Sequence, residues 1–306
     1  MKEVKKKNRL KREQTLWGWI FLSPWIIGFI AFTLVPLLVS IVFSLLDFKL
    51  NKPDEMSFVG LHNYRALLKD PLVAQSLLVT FKFALFSLPI GVIMPIALAA
   101  LMNSKYLKAK RFFRTLFYMP FIVPVVSAVF IWRGVLSAQN GWLNRILSFV
   151  GISGPDWLNS TVWIYPALVI IGIWGIGNAF LITLAAMQGI PTVYYEAARV
   201  DGANGLQRFW NITLPMISPV IFFNLILSVI GLLRYFDTPF IFNGGNGNPG
   251  GSTMFYNIYF YKTTFVFFDM GYGSALAWLL FVITMLITLV LFGTSRYWVY
   301  YAGGNN

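Results

Sequence analysis

Apolar positions along this chain come in long, nearly unbroken blocks. They show neither the alternation of half-buried strands nor the three-and-four spacing of surface helices. A bilayer core needs roughly 20 consecutive apolar residues per helical span. Six blocks reach that length, running from about Trp17 to Leu46, Ser76 to Leu101, Phe112 to Val135, Thr161 to Met187, Ile212 to Phe242 and Ser274 to Tyr300. The pattern predicts an all-α integral membrane protein with six transmembrane helices. The first block is too long for the apolar core of a signal peptide, and no small-residue cleavage site follows it, so it reads as a retained helix. Pro24, Pro36, Pro89, Pro95 and Pro124 fall inside spans, where neighbouring helices can shelter the carbonyls they free.

The polar intervals add detail. LNKPDEMSFVGLHNYRALLKDP, after the first block, holds turn residues and then a short helix around Tyr64 to Lys69. FNGGNGNPGGSTMFYNIYFYKTTF, after the fifth, is rich in glycine and asparagine and predicts an irregular loop. The chain contains no internal repeat and no low-complexity tract.

Composition agrees with the pattern. Hydrophobic residues make up 58% of 306 and charged residues 11%, against about a quarter charged in soluble domains. The absence of cysteine excludes disulfides, thiolate nucleophiles and thiolate metal sites. The formal net charge of +13 is unevenly placed. Basic residues crowd the tail KEVKKKNRLKRE and the loop NSKYLKAKRFFR, and Arg199, Arg208 and Arg296 join the same side. The opposite loops carry fewer, diluted by Asp54, Glu55, Asp70, Asp156 and Asp269. Positive residues mark the cytoplasmic side, so both termini are expected to be cytoplasmic. The organisation is then a basic cytoplasmic tail over 1–16, a ligand for anionic membrane lipid, and a six-span domain over 17–306 with a cytoplasmic loop at 190–215. No aromatic-interleaved basic fold accompanies the tail, which argues against nucleic acid.

Candidate chemistry is sparse. His62 is the sole histidine, lies in an external loop, and has no nucleophile elbow to serve, so neither a catalytic nor a metal site is expected. No glycine is followed by lysine, so the phosphate-cradling loop of ATPases is missing and this chain binds no ATP of its own. An ion-driven carrier needs ionisable residues inside its spans. The candidates are Lys82, which can snorkel to the headgroups, and the pair Arg234 and Asp237. Three apart on one helix, that pair reads either as an internal ion pair or as the lining of a polar pathway. Trp174 and Asn178, four apart in the fourth span, are expected on one face. An indole beside an amide suits a sugar, stacking on its C–H face and meeting a hydroxyl. The alternative is that Asn178 bonds another helix and Trp174 packs against lipid, while Gly172, Gly175 and Gly177 allow close helix packing.

YYEAARVDGANGLQRFWNITLPMISP, from Tyr194 to Pro219, is the longest stretch of mixed polarity between two hydrophobic blocks. Pro191 suits a helix start, Gly202 interrupts the helix, and a second short helix is expected from about Asn204 to Trp210. Ala197, Ala198, Gly202 and Ala203 leave a shallow knob that a partner's cleft can enclose, with Glu196 and Arg199 available for ion pairing.

At these residues the chain resembles the permease subunits of bacterial ABC importers. Their cytoplasmic EAA signature is matched by Pro191, Glu196, Ala197, Ala198, Asp201, Gly202, Ala203, Phe209, Ile212, Leu214, Pro215 and Pro219. SPWIIGFIAFTLVPLLVSIVFSLLDF, FVGLHNYRALL, FNGGNGNPGGST and GYGSALAWLLF are similar to the carbohydrate-importing branch, the maltose and glycerol-phosphate type. One departure is that the outer loop usually reads G-G-P, whereas Asn246 follows Gly244 and Gly245 here. The resemblance implies the type I importer permease fold in the bacterial cell membrane and import of a sugar or oligosaccharide. The EAA loop would act as a coupling helix, with Glu196 pairing a basic residue of an ATPase, Ala197 and Ala198 filling its groove, Asp201 within the motif, and Gly202 making the turn. Partners implied are two copies of an ABC ATPase carrying ATP and Mg, a second homologous permease, and an extracytoplasmic solute-binding protein. Trp174, Asn178 and Arg234, then Tyr235 and Asp237, are the candidate sugar contacts. An ion-gradient-driven sugar carrier and a membrane-embedded enzyme are the rival classes.

Overall fold

The computed structural model describes residues 2–301, with side chains from Arg12 onward; the side chains of the basic tail up to Lys11 and residues 302–306 lie outside the described set. The chain divides into two compact units, Met1–Lys69 with Thr263–Trp278, and Asp70–Lys262 with Leu279–Asn306.

The first unit opens with α1 (Lys2–Phe29), which passes through a single π turn at Ile30–Leu34 into α2 (Val35–Ser44). Pro36 falls in the first turn of α2, where a missing N–H does little harm. A two-residue antiparallel pair, β1 (Leu46–Asp47) with β2 (Ser57–Phe58), closes the loop that follows. The short helix α3 spans His62–Leu67. Buried Asn63 donates to the carbonyls of Ser44 (3.0 Å) and Leu46 (2.9 Å), tying α3 to the end of α2. His62 is exposed.

The second unit is organised on α4 (Pro71–Asn103), capped by Asp70, whose carboxylate accepts from the Leu72 N–H at 2.8 Å. The helices that follow are α5 (Lys110–Ile122), α6 (Val125–Val135), α7 (Trp142–Phe149), α8 (Ile164–Trp174) and α9 (Gly177–Gln188). Then come α10 (Thr192–Val200), α11 (Gly205–Arg208), α12 (Leu214–Met216), α13 (Ser218–Leu233), α14 (Asp237–Asn243) and α15 (Tyr256–Tyr261). Helix α4 packs against α9 and α13. One buried cluster centres on Phe83, Leu136, Ile164, Leu168, Phe255 and Ile258. A second joins Ala99, Met102, Phe180, Leu184, Met187 and Ile217. Among lipid-facing helices such clusters hold by close packing rather than by exclusion of water.

The chain then returns to the first unit through Thr263–Trp278 and enters α16 (Met270–Ser295). Phe48 O accepts from the N–H groups of Met270 (2.9 Å) and Gly271 (3.0 Å), and a Cβ on Gly271 would lie 2.2 Å from Leu46 O. Only glycine permits that approach. Trp278 Nε1 donates to Ser40 Oγ at 3.1 Å, binding the start of α16 to α2.

Among the described residues, four helical stretches are long and apolar enough to cross a membrane: Arg12–Ser44, Pro71–Asn103, Ser218–Asn243 and Met270–Ser295. The predicted third and fourth spans are instead bent pairs. Helices α5 and α6 meet at 104°, and α8 and α9 at 52°. The first break comes at Val123-Pro124: a residue before proline is pushed out of helical geometry, and Val123 is extended at ψ 127°. The second comes at Gly175-Ile176. Gly177, opening α9, lies against α5 so closely that a Cβ there would sit 2.7 Å from Phe117 O. The FNGGNGNPGGST loop is irregular as expected, with positive φ at Gly244, Gly245, Gly247, Gly250 and Gly251.

Candidate functional site

The segment from Ile190 to Pro219 folds as two helices at a tight corner. Pro191, in extended geometry, precedes α10. At the other end the chain reverses through a Schellman turn, in which the Ala203 N–H donates to Ala198 O (2.8 Å) and the Gly202 N–H to Arg199 O (3.1 Å). Gly202 holds φ +81°, a value L side chains resist. Helix α11 starts at once with a reciprocal cap: Asn204 Oδ1 accepts from Gln207 N (2.9 Å) while Gln207 Oε1 accepts from Asn204 N (2.7 Å). Arg208 Nη1 donates to Ala203 O at 2.8 Å, closing the corner from inside.

The two faces of α10 differ. Tyr195 faces inward with its phenol 2.9 Å from Thr213 Oγ1, and it packs with Phe209 and Ile212 on the cluster of Phe180, Leu184 and Met187. On the other side, Val193, Glu196, Ala197 and Val200 follow the i, i+3, i+4, i+7 rule, so they share one face, and all four are exposed. Val200 is 88% exposed, Val193 68% and, past the corner, Leu206 68%. The Glu196–Arg199 pair is 4.0 Å long and solvent-exposed, which leaves the carboxylate available to another partner. Asp201 is exposed at the end of α10. Ala198, expected to share the knob with Ala197, is instead partly covered, because it lies one helical step toward Tyr195.

The sequence-predicted sugar contacts are not brought together. Trp174 ends α8 and Asn178 lies in α9 beyond the 52° bend, so the two do not share the face of one helix. Trp174 meets Trp132 edge-on at 6.0 Å and lines a cavity of about 440 Å³ with Met94, Phe117 and Pro120. Asn178 is exposed and lines neither this cavity nor the next. Arg234 and Asp237 also fail to share a helical turn. Arg234 terminates α13, Asp237 opens α14, both are exposed, and no ion pair joins them among the described residues. Asn257 Nδ2 holds the Arg234 carbonyl at 2.9 Å.

Tyr235 is placed differently. Its ring stacks on Phe83 (4.9 Å) and meets Phe255 edge-on (5.2 Å). It closes one end of a cavity of about 230 Å³ lined by Ser87, Gly91, Gly172, Ile173, Ile176, Ser228 and Gly231. Ile173 and Ile176 line both cavities, so the bend between α8 and α9 is their common wall. Sequence reasoning passed over Ser87, Ser228 and Gly231; only their small size inside apolar spans hinted at a cavity. Ser87 Oγ is buried without a hydrogen-bond partner among the described residues. Three or more grouped metal-ligating side chains are absent among the described residues.

Residues 73–302 match the model of the family described as "Binding-protein-dependent transport system inner membrane component". The chain is 38% identical over 302 residues to a probable ABC transporter permease protein, YesP, of Bacillus subtilis (strain 168), covering 98% of this chain and 96% of that one. It is 32% identical to the lactose transport system permease protein LacF of Rhizobium radiobacter, covering 95% and 97%. To the trehalose/maltose transport system permease protein MalF of Thermococcus litoralis it is 31% identical over the same shares. The fold is that of a chain in the crystal structure of a bacterial ABC transporter involved in the import of the acidic polysaccharide alginate, with TM-score 0.80, 24% identity and coverage of 95% and 98%. The chain belongs to the family of inner-membrane components of binding-protein-dependent transport systems.

Proposed function

We propose that this chain is one of two related permease subunits of an ATP-driven importer that carries a sugar or oligosaccharide into a bacterial cytoplasm. Each bent pair counts as one span, giving six, with both termini cytoplasmic. An extracytoplasmic solute-binding protein delivers the sugar. Two copies of an ABC ATPase, holding ATP and Mg, dock on the loop 190–215. Glu196 and Ala197 face the ATPase, Gly202 and Asp201 shape the corner behind them, and Ala198 seats α10 against the body. On the transport path Tyr235 and Trp174 stand at the two cavities, while Asn178, Arg234 and Asp237, which line neither, are further candidate sugar contacts.

The observation that carries the reading is the exposed Val193–Glu196–Ala197–Val200 face, held on a locked corner in a member of this family. The sugar class rests on the names of relatives, lactose and trehalose/maltose permeases among them. ATP closure of the paired ATPases would bias the permease between inward- and outward-facing states, and the loaded binding protein would favour the outward one. The test is purification of the tagged chain from gentle detergent, with uptake measured in vesicles. Wild type should bring an ABC ATPase and a second permease, and uptake should stop on ATP depletion. Purification alone with uptake that follows an ion gradient would favour the secondary carrier.

A further inference from the structure

Beside the α10–α11 corner, lined by none of Val193, Glu196, Ala197 and Val200, lies a cavity of about 890 Å³ between the end of α4, the loop after it, the end of α9 and the two corner helices. Its charges are one-sided. Lys105, Arg199 and Arg208 line it, and no aspartate or glutamate does among the described residues. Asn103, Gln188 and Thr192 add side-chain donors that make no other hydrogen bond among the described residues. Both guanidinium groups are held in place by backbone carbonyls. Arg208 bonds Ala203 O at 2.8 Å and Arg199 bonds Tyr195 O at 3.3 Å through Nε. Each keeps further N–H groups to offer.

A topology signal alone asks only for exposed basic residues near span ends. Here three cations from three segments line one concave space and repel each other; the Tyr106 ring under Lys105 and the long, solvent-exposed contact of Arg199 with Glu196, which does not line the cavity, relieve only part of that cost. An anion between them removes that cost, and planar guanidinium groups suit a phosphate above all. The volume lies within the roughly 300–1,000 Å³ of small-molecule sites.

We infer that this cavity is a phosphate-binding site, taking either the headgroup of an anionic membrane lipid or a soluble phosphate. A bound phosphate bridges Lys105, in the loop just after α4, to Arg199 and Arg208 in the corner, bracing the corner against the span that organises the unit. The inference does not depend on what docks on the outer face.

The full chain, with the subunits that accompany it, would be placed in phosphatidylcholine nanodiscs with or without phosphatidylglycerol, with inorganic phosphate as the soluble probe. Native mass spectrometry counts retained phosphatidylglycerol, and thermal unfolding reads the shift caused by phosphate. Arg208→Gln also loses a bond of the corner and can disturb folding, so Lys105→Gln is the deciding variant, with Lys105→Arg as rescue. Lys82→Gln, exposed on α4, controls for loss of bulk charge. Lys105→Gln should weaken retention or the phosphate shift roughly tenfold, the worth of one charge-assisted hydrogen bond, while Lys105→Arg and Lys82→Gln keep it. Lipid retained and undisturbed by inorganic phosphate supports the headgroup, and a phosphate shift in pure phosphatidylcholine supports the soluble anion. Equal values in wild type and Lys105→Gln, or an equal fall in Lys82→Gln, would overturn the site. An ATPase that stays with Lys105→Gln after phosphate binding is lost separates this site from the docking face.

Discussion

The α10–α11 corner and the cavities at the α8–α9 bend obey different logics. The corner is built by residues close in sequence: Ala198 to Ala203 and Asn204 to Gln207 supply its bonds within a few positions of each other. The cavities are built from α4, α5, α8 and α13, which are far apart in the chain, and owe their shape to where side chains are small. A corner of the first kind can be broken at one backbone position. A space of the second kind can be closed without damaging the fold.

The sharpest way to break the contrast is Gly202→Pro. Proline cannot hold φ +81° and removes the N–H that bonds Arg199 O, so the turn cannot form. Uptake should drop to background and the ATPase should be lost from the purified complex while the chain still inserts. Next comes Gly177→Leu, whose Cβ would lie 2.7 Å from Phe117 O. Parting α5 from α9 should cost about 1–3 kcal/mol, read as a fall in Tm without selective loss of the ATPase. Gly231→Val sharpens the comparison from the other side. Nothing lies within 4 Å of a Cβ at Gly231, which lines the Tyr235 cavity. Tm should hold and the ATPase should stay, while KM for the sugar rises several-fold; an unchanged KM would remove that cavity from the path. The smallest effect is expected for Asn204→Ala, which removes half of the reciprocal cap at about 1 kcal/mol. The ATPase should remain, bound more weakly and lost at elevated temperature.

Legibility followed the same division. The positions of the apolar blocks, the Pro191 start, the Gly202 interruption and the helix after Asn204 were readable, because each depends on local periodicity or turn chemistry. The bends were not. Val123-Pro124 carried a signal that the tolerance of membrane helices for proline obscured, and Gly177 needs the backbone of α5 before its role is visible. The pairing of Trp174 with Asn178, and of Arg234 with Asp237, assumed unbroken helices, and both failed at a break. Tyr235 could be named from the sequence only as a candidate, and its partners Phe83 and Phe255 could come only from the folded arrangement.

The exit from the corner has a mechanical consequence. Pro219 cannot donate to the Pro215 carbonyl; the Ser218 hydroxyl does so instead at 2.6 Å and also accepts from Tyr300 N at 2.8 Å. Ile217 N bonds Thr213 O, and Ile221 N bonds Ile217 O, so helical bonding continues past both prolines. From Thr213, gripped by Tyr195, α12 and α13 carry the chain to Tyr235 at the cavity, a path on the order of 30 Å with one break in helical geometry at Ile217. Ser218 bonds its neighbours across that break, so replacing it with alanine would remove the tie between α12, α13 and Tyr300 and loosen the link between corner and cavity.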